Sequence, residues 1–288
     1  MKITDKIKQK NTIISFEVFP PKSDAPFEPV KDTVHELAEI NPDYISVTYG
    51  AGGGTSSNTL NIASYIQNEL NNTALAHLSC VSSTKDEILE IIQNLKTNNI
   101  QNILALRGDI PKDNISLQKK SYDYSYQLVN DIKSCGDFCI GAACYPEGHV
   151  DCESKDKDIQ YLKQKVDCGV DFLITQMFFD NNVLYSFLYR ALANNIDVPV
   201  FAGVMPVTNS KQIKKICELS GTSLSPRFKS IVDKFGNNPQ ALKQAGIAYA
   251  TDQIIDLISN GVQGIHIYTM NRPEVAKKIM DNITEIVK

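Results

Sequence analysis

Eight short apolar runs, helix-like patterning between them, and a polar or ionisable residue closing each run together predict a (β/α)8 barrel, a single domain over residues 1–288 with an extra helix before the last strand. Runs that are apolar without alternation read as strands buried on both faces, the mark of a parallel sheet. In such barrels the loops at the carboxyl ends of the strands build the active site, so the residue ending each run is a candidate functional group. The chain is 42% hydrophobic and 22% charged, and its 288 residues accommodate one barrel of about 250 residues.

The first run, Ile13 to Glu17, places a carboxylate among Phe16, Val18 and Phe19, and Pro20-Pro21 makes the backbone beyond it rigid. Apolar surroundings disfavour the charged form of a carboxyl, which suits a proton donor near neutral pH, so Glu17 is the first candidate for a general acid. A salt-bridged glutamate at the barrel mouth is the structural alternative. Asn41-Pro42 reads as a helix stop before the second run, Tyr44 to Thr48. That run leads through Tyr49 into the glycine-rich turn Gly50-Ala51-Gly52-Gly53-Gly54-Thr55, whose backbone N–H groups can approach an anionic or flat ligand. The turn lacks the G-x-G-x-x-G spacing and the Lys of a P-loop, and a flexible loop explains it as well. The third run, Leu75 to Ser79, carries His77. Thr84-Lys85-Asp86-Glu87 then forms a capping box before Ile88, Leu89, Ile91, Ile92 and Leu95, the pattern of an amphipathic helix on a barrel.

The fourth run, Ile103 to Asp109, ends in Arg107-Gly108-Asp109: a cation, a glycine that permits close backbone approach, and an anion. A polar ligand fits that ending, and an internal Arg–Asp ion pair competes as an explanation. The polar stretch Pro111 to Lys120 is either a lid or a solvated excursion. The fifth run, Cys139 to Tyr145, has His149 just beyond it, and the sixth, Phe172 to Gln176, ends in an amide. After the seventh, Val198 to Met205, comes a connection roughly twice the length of the others, holding Lys211 to Leu219, Pro226 to Phe235 and Pro239 to Ser259. Bare loop of that length is uncommon, hence the extra helix. The eighth run is Ile265 to Thr269, and Pro273 reads as the first turn of a closing helix. His77, Tyr145, His149 and Gln176 thus converge on one barrel face.

A net charge of -4 and a pI near 5.6 give no broad attraction to nucleic acid or to an anionic membrane, which leaves a small molecule as the expected partner. No run nears the roughly 18 apolar residues of a membrane span, and Met1 to Lys10 is not a signal peptide, so a cytoplasmic location is expected. Seven cysteines lack paired C-x2-C spacing and read as buried or exposed free thiols rather than metal ligands.

Strings along nearly the whole chain resemble the methylenetetrahydrofolate reductases in their short bacterial form. They are Ser15-Phe16-Glu17 with Phe19-Pro20-Pro21, Ser46 to Ala51, Ala76-His77-Leu78, Ala105 to Asp109, Tyr145-Pro146-Glu147 with His149, Thr175-Gln176 with Phe178-Phe179-Asp180, and Tyr268-Thr269 with Asn271-Arg272. The resemblance implies a barrel holding FAD non-covalently, reduced by NADH or NADPH, and hydride transfer to 5,10-methylenetetrahydrofolate to give the 5-methyl product that supplies methyl groups for methionine synthesis. It implies Glu17 as general acid, Asp109 as a carboxylate beside flavin and pterin, and Gln176 and Arg272 as substrate contacts. For the flavin it implies Thr48, Tyr49, Ala51, His77, Arg107, Gly108, Asp109, Tyr124, Ser125, Tyr145, His149, Asp158 and Lys165, with Arg107 and Lys165 suited to the pyrophosphate. It also implies a homo-oligomer.

Four departures from the family pattern stand out, the first being the turn Gly52-Gly53-Gly54, which is richer in glycine than that pattern. Ser210 follows Met205-Pro206-Val207-Thr208-Asn209 where the family has an aromatic residue that stacks on substrate. Two basic or amide positions near Lys165 are Gln164 and Tyr161 here, which implies a different hold on the adenine end of FAD. The chain also stops after the barrel, so inhibition by S-adenosylmethionine through a further domain is not expected. The competing classes are a flavin-independent barrel aldolase or lyase, which needs a Schiff-base Lys that no run here ends in, and a non-catalytic flavin- or folate-binding module.

Overall fold

The computed structural model describes residues 1–21, 28–49, 56–109 and 121–288. Eight parallel strands close into a barrel in sequence order: β1 (Ile13–Val18), β2 (Tyr44–Val47), β3 (Ala74–Ser79), β4 (Asn102–Leu106), β5 (Cys139–Cys144), β6 (Phe172–Thr175), β7 (Val200–Val204) and β8 (Gly264–Tyr268). β1 pairs with both β2 and β8, so that Glu17 lies opposite Ser46 on one side and Tyr268 on the other. The apolar runs and the strands coincide closely; the largest excess is at the fourth, where β4 ends at Leu106 and Arg107-Gly108-Asp109 is already loop.

Alternation within each strand divides the side chains between two cores. Ile14, Phe16, Ile45, Val47, Ala76, Leu78, Ile103 and Ile265 point outward against the helices. Ile13, Tyr44, Leu75, Leu104, Phe172 and Phe201 fill the barrel interior. Gly264 makes room for this filling, since a Cβ there would lie 1.9 Å from the Phe201 ring. The helix α1 (Ile3–Gln9) stoppers the amino end: Ile3 is fully buried in the interior cluster, and its N–H donates to Asn102 Oδ1 at 2.8 Å. The Asn102 amide donates in turn to the carbonyls of Ala74 (3.0 Å) and Met1 (3.2 Å), all at a completely buried position.

The outer layer comprises α2 (Glu28–Glu39), α3 (Ser56–Ser64), which runs into a π-helical turn (Tyr65–Glu69), α4 (Lys85–Thr97), α5 (Ser125–Cys135), α6 (Lys155–Asp167), α7 (Asn181–Ala193), α8 (Ser210–Ser220), α9 (Pro226–Phe235), α10 (Pro239–Ser259) and α11 (Pro273–Ile283). The expected capping box forms at α4: Thr84 Oγ1 accepts from Glu87 N–H at 3.3 Å while Glu87 accepts from Thr84 N–H at 2.8 Å. The expected extra helix before β8 is in fact two, α8 and α9, ahead of the barrel helix α10. They sit on a small core of their own, in which Phe179 stacks on Phe228 at 4.9 Å beside Met205, Val207 and Ile213. Among the described residues no helix is long and apolar enough to cross a membrane.

Candidate active site at the carboxyl ends of the strands

Glu17 points into the upper barrel from β1 and is 7% exposed. Its Oε2 stands 3.7 Å from His77 Nε2 on β3 and 3.6 Å from His266 Nε2 on β8. Neither approach is a hydrogen bond, and both imidazole Nε2 atoms are buried without a partner. His266 is fully buried and its Nδ1 lies 2.8 Å from Ser15 Oγ. With the Ser15 hydroxyl donating to the Ile265 carbonyl at 3.3 Å, the serine oxygen accepts from His266 Nδ1–H, and the imidazole Nε2 then presents a lone pair to Glu17. Burial lowers His77 to about 4, against attraction to Glu17, so His77 stays neutral near pH 7. His266 and Ser15 are additions to the sequence-derived candidates. Their signal was there: Ser15, Glu17, His266 and Tyr268 are polar residues at alternate positions of two otherwise apolar strands, facing one interior.

The last strand and its loop hold the acid in place. Thr269 Oγ1 donates to the Glu17 carbonyl at 2.6 Å. Asn271 brackets Phe19, accepting from its N–H at 2.8 Å and donating to its carbonyl at 3.0 Å. Met270 and Asn271 both adopt positive φ, 55° and 54°, to make that turn. Arg272 donates to Thr208 Oγ1 at 2.7 Å, tying the β8 loop to the β7 loop. Gln176 follows β6, its N–H donating to the Cys144 carbonyl at 2.8 Å and its Oε1 accepting from Met177 N–H at 3.3 Å. Ser210, the departure from the family pattern, donates to the Gly236 carbonyl at 3.0 Å and fastens α8 to the end of α9.

Beside this cluster lies a cleft of about 450 Å³ between β4, β5, α5 and α6. Seven expected residues line it together: Arg107, Tyr124, Ser125, Tyr145, His149, Asp158 and Lys165. The Lys165 ammonium donates to the Ala143 carbonyl at 2.5 Å, and Arg107 pairs with Asp151 at 2.9 Å. The competing expectation of an Arg107–Asp109 pair is replaced by this Arg107–Asp151 pair. Burial lowers Lys165 and raises Asp158, although His149 and Lys165 pull Asp158 the other way. Tyr145 packs edge-on against His149 at 4.6 Å, and burial pushes its hydroxyl up to about 12. Two cations, a flat ring and a hydroxyl at the helix start fit a phosphate-bearing ligand with an aromatic group.

Thr48, Tyr49, His77, Gly108 and Asp109 lie along the neighbouring ends of β2, β3 and β4 rather than in the lining of the cleft. Gly108 has φ +85°, and a Cβ there would meet Ser79 Oγ at 2.2 Å, so glycine is what lets these two strand ends close together. Asp109 is exposed. The turn with Ala51 and the loop Pro111 to Lys120 lie outside the described residues. Among the described residues the cysteines are free thiols, and no group of His, Cys, Asp and Glu side chains is arranged to hold a metal ion.

Fold and site together define a (β/α)8-barrel protein with a buried carboxyl between two histidines, opening beside a cation-bearing cleft. Residues 2–284 match the family model for methylenetetrahydrofolate reductase. The chain belongs to that family, whose named reaction is a reduction of a folate. It is 34% identical to the 5,10-methylenetetrahydrofolate reductases of Pectobacterium carotovorum and of Escherichia coli, over 92% of this chain and 88% of each relative. It is also 34% identical to methylenetetrahydrofolate reductase (NADH) 1 of Arabidopsis thaliana, over 98% of this chain but only 51% of the plant protein, so it spans about half of that relative's length. Among solved structures, a Clostridium thermocellum protein that binds two copies of 5-methyl-5,6,7,8-tetrahydrofolic acid superposes with a TM-score of 0.62 at 17% identity, covering 99% of this chain and 98% of that one. That likeness is one of fold.

Proposed function

We propose that this protein reduces 5,10-methylenetetrahydrofolate to 5-methyltetrahydrofolate, with FAD held in the cleft, NADH or NADPH as donor, and Glu17 as general acid. The observation that carries the proposal is the Glu17 carboxyl, buried between two partnerless imidazole nitrogens at the mouth of a barrel of this family. Bound in the cleft, FAD would supply the hydride chemistry between the nicotinamide and the folate. Arg107 and Lys165 offset the pyrophosphate charge, and Tyr145, His149 and Asp158 orient the ligand along the cleft wall.

Opening the five-membered ring of the folate requires a proton on the departing nitrogen. Glu17 donates it, leaving an iminium carbon able to accept hydride. His77, neutral near pH 7, does not compete for that proton. His266 faces Glu17 through Nε2 while its Nδ1 is fixed by Ser15, which holds the imidazole in place beside the carboxyl. Asp109, just past the end of β4, would set a carboxylate beside a bound flavin and favour transfer of hydride from it to the folate. Gln176 and Arg272 supply polar contacts to the folate.

The test is an absorbance spectrum of the purified protein followed by anaerobic titration with NADH and with NADPH, then with methylenetetrahydrofolate. A flavin spectrum that bleaches with one nicotinamide and recovers with folate is the expected result. Protein that carries no flavin and gains no thermal stability from added FAD sinks the proposal.

A further inference from the structure

Tyr268, the last residue of β8, and Thr269 after it reach in opposite directions, to the two strand ends that carry the acid and the substrate amide. The Thr269 hydroxyl donates to the Glu17 carbonyl of β1 at 2.6 Å. The Tyr268 hydroxyl donates at 2.7 Å to the Thr175 carbonyl of β6, in the peptide that leads directly into Gln176. β6 and β8 are not neighbours in the barrel, so the tyrosine side chain passes over the end of β7. Gly203 opens that path, since a Cβ there would lie 2.7 Å from the Tyr268 ring and 2.4 Å from the Thr175 carbonyl oxygen. β7 already pairs with both β6 and β8, so the cross-barrel bond is not what closes the sheet. It fixes the stretch beyond the ladder, where pairing of β6 with β7 ends at Ile174 and Phe201. There the Thr175 hydroxyl accepts from Gly203 N–H at 2.8 Å, and Gln176 N–H donates to the Cys144 carbonyl at 2.8 Å, so the backbone around the amide is fastened on three sides. Burial raises the Tyr268 hydroxyl well above the usual tyrosine range and keeps it a donor.

We propose that Tyr268 is a positioning residue for the folate step: with Thr269 it braces β8 against both strand ends and fixes the separation of Glu17 from Gln176. A folate held by the amide then presents its departing nitrogen to the acid. This inference rests on the reductase reading and on the roles of Glu17 and Gln176 within it. The brace acts through the backbone carbonyls of Glu17 and Thr175 and contributes no proton of its own to the reaction. Misplacement of a reacting group by about 1 Å costs on the order of 10²-fold in rate, which is the error such a brace prevents.

The test uses the full chain loaded with FAD, with Tyr268→Phe, Thr269→Val, Gln176→Ala and the double variant Tyr268→Phe/Gln176→Ala beside the wild type. The readouts are the two half-reactions by anaerobic stopped flow, calorimetric binding of 5-methyltetrahydrofolate, and the melting temperature as a check on the fold. Tyr268→Phe keeps the ring and drops only the bond to Thr175. It should slow the folate step by about 10- to 100-fold and weaken 5-methyltetrahydrofolate binding by about 2- to 10-fold, with flavin reduction by NAD(P)H within about threefold of wild type. Thr269→Val removes the other arm and should show the same selective loss. In the Gln176→Ala background Tyr268→Phe should change the folate step and the binding by less than about twofold, because the side chain it positions is already gone. An equal loss in both half-reactions, a loss of full size in the Gln176→Ala background, or no loss in Tyr268→Phe overturns the brace while leaving the reductase reading intact. Wild-type protein that neither binds 5-methyltetrahydrofolate nor carries out the folate step overturns the reductase reading itself.

Discussion

Replacing Glu17 by Gln separates the proton from the shape of the side chain that carries it. The two side chains are nearly equal in size, so the barrel interior stays filled. The Gln amide brings two N–H donors toward His77 Nε2 and His266 Nε2, which lack partners and lie 3.7 and 3.6 Å from the present carboxyl oxygen. A hydrogen bond gained there contributes about 0.5–1.5 kcal/mol, so the variant should melt at or slightly above the wild-type temperature. Loss of a general acid lowers the rate of the step it serves by about 10²–10⁴, equivalent to roughly 3–5 kcal/mol of activation barrier. Anaerobic stopped-flow absorbance resolves the two halves of the reaction. Reduction of the flavin by NAD(P)H should proceed within about threefold of wild type, and reoxidation by methylenetetrahydrofolate should fall by the full factor. A folate step slowed less than about tenfold, in a variant of wild-type stability, refutes Glu17 as the acid.

Three further outcomes follow from the same contacts. His77 is held near 4 by burial against 6.5 when unfolded, so the unfolded chain binds the extra proton and stability should fall as pH drops from 6.5 toward 4, by up to about 3 kcal/mol. Thermal melts across that range should show the slope in wild type and lose part of it in His77→Gln; equal slopes contradict the assignment. Asn102→Ala removes three hydrogen bonds at a fully buried position and should cost about 2–4 kcal/mol in urea unfolding, a loss under about 1 kcal/mol showing that α1 is not fastened there. Asn271→Gly keeps the backbone turn but drops the two bonds to Phe19, so it should slow the folate step about tenfold without altering flavin reduction; parallel loss in both halves shows a merely structural role.

The strands were legible because burial on both faces leaves uninterrupted apolar runs, and Glu17 was legible because it breaks one at its end. His266 was harder to see, since its neighbours Ile265 and Ile267 point outward and make the run look uniformly apolar. α1 was read only for what it is not; Ile3 and Ile7, four apart in one short polar segment, are too few to establish a period, and only the interior cluster shows what they cover. The connection between β7 and β8 was legible as three segments, Lys211 to Leu219, Pro226 to Phe235 and Pro239 to Ser259, which match α8, α9 and α10 to within a residue, although its length alone argued for one extra helix. The cleft residues Asp158 and Lys165 came from family resemblance, as helical spacing puts them on one face but does not say which strand ends that face meets.

The stopper formed by α1 has a bearing on traffic. A cylinder closed at its floor offers visitors one doorway, at the carboxyl ends of the strands where Glu17 waits. On the function proposed above, the nicotinamide donor and the folate acceptor both come and go by that doorway. Each guest must then vacate before the next is served, and the room has to remember the first guest's delivery in the meantime. A tightly kept flavin is that memory.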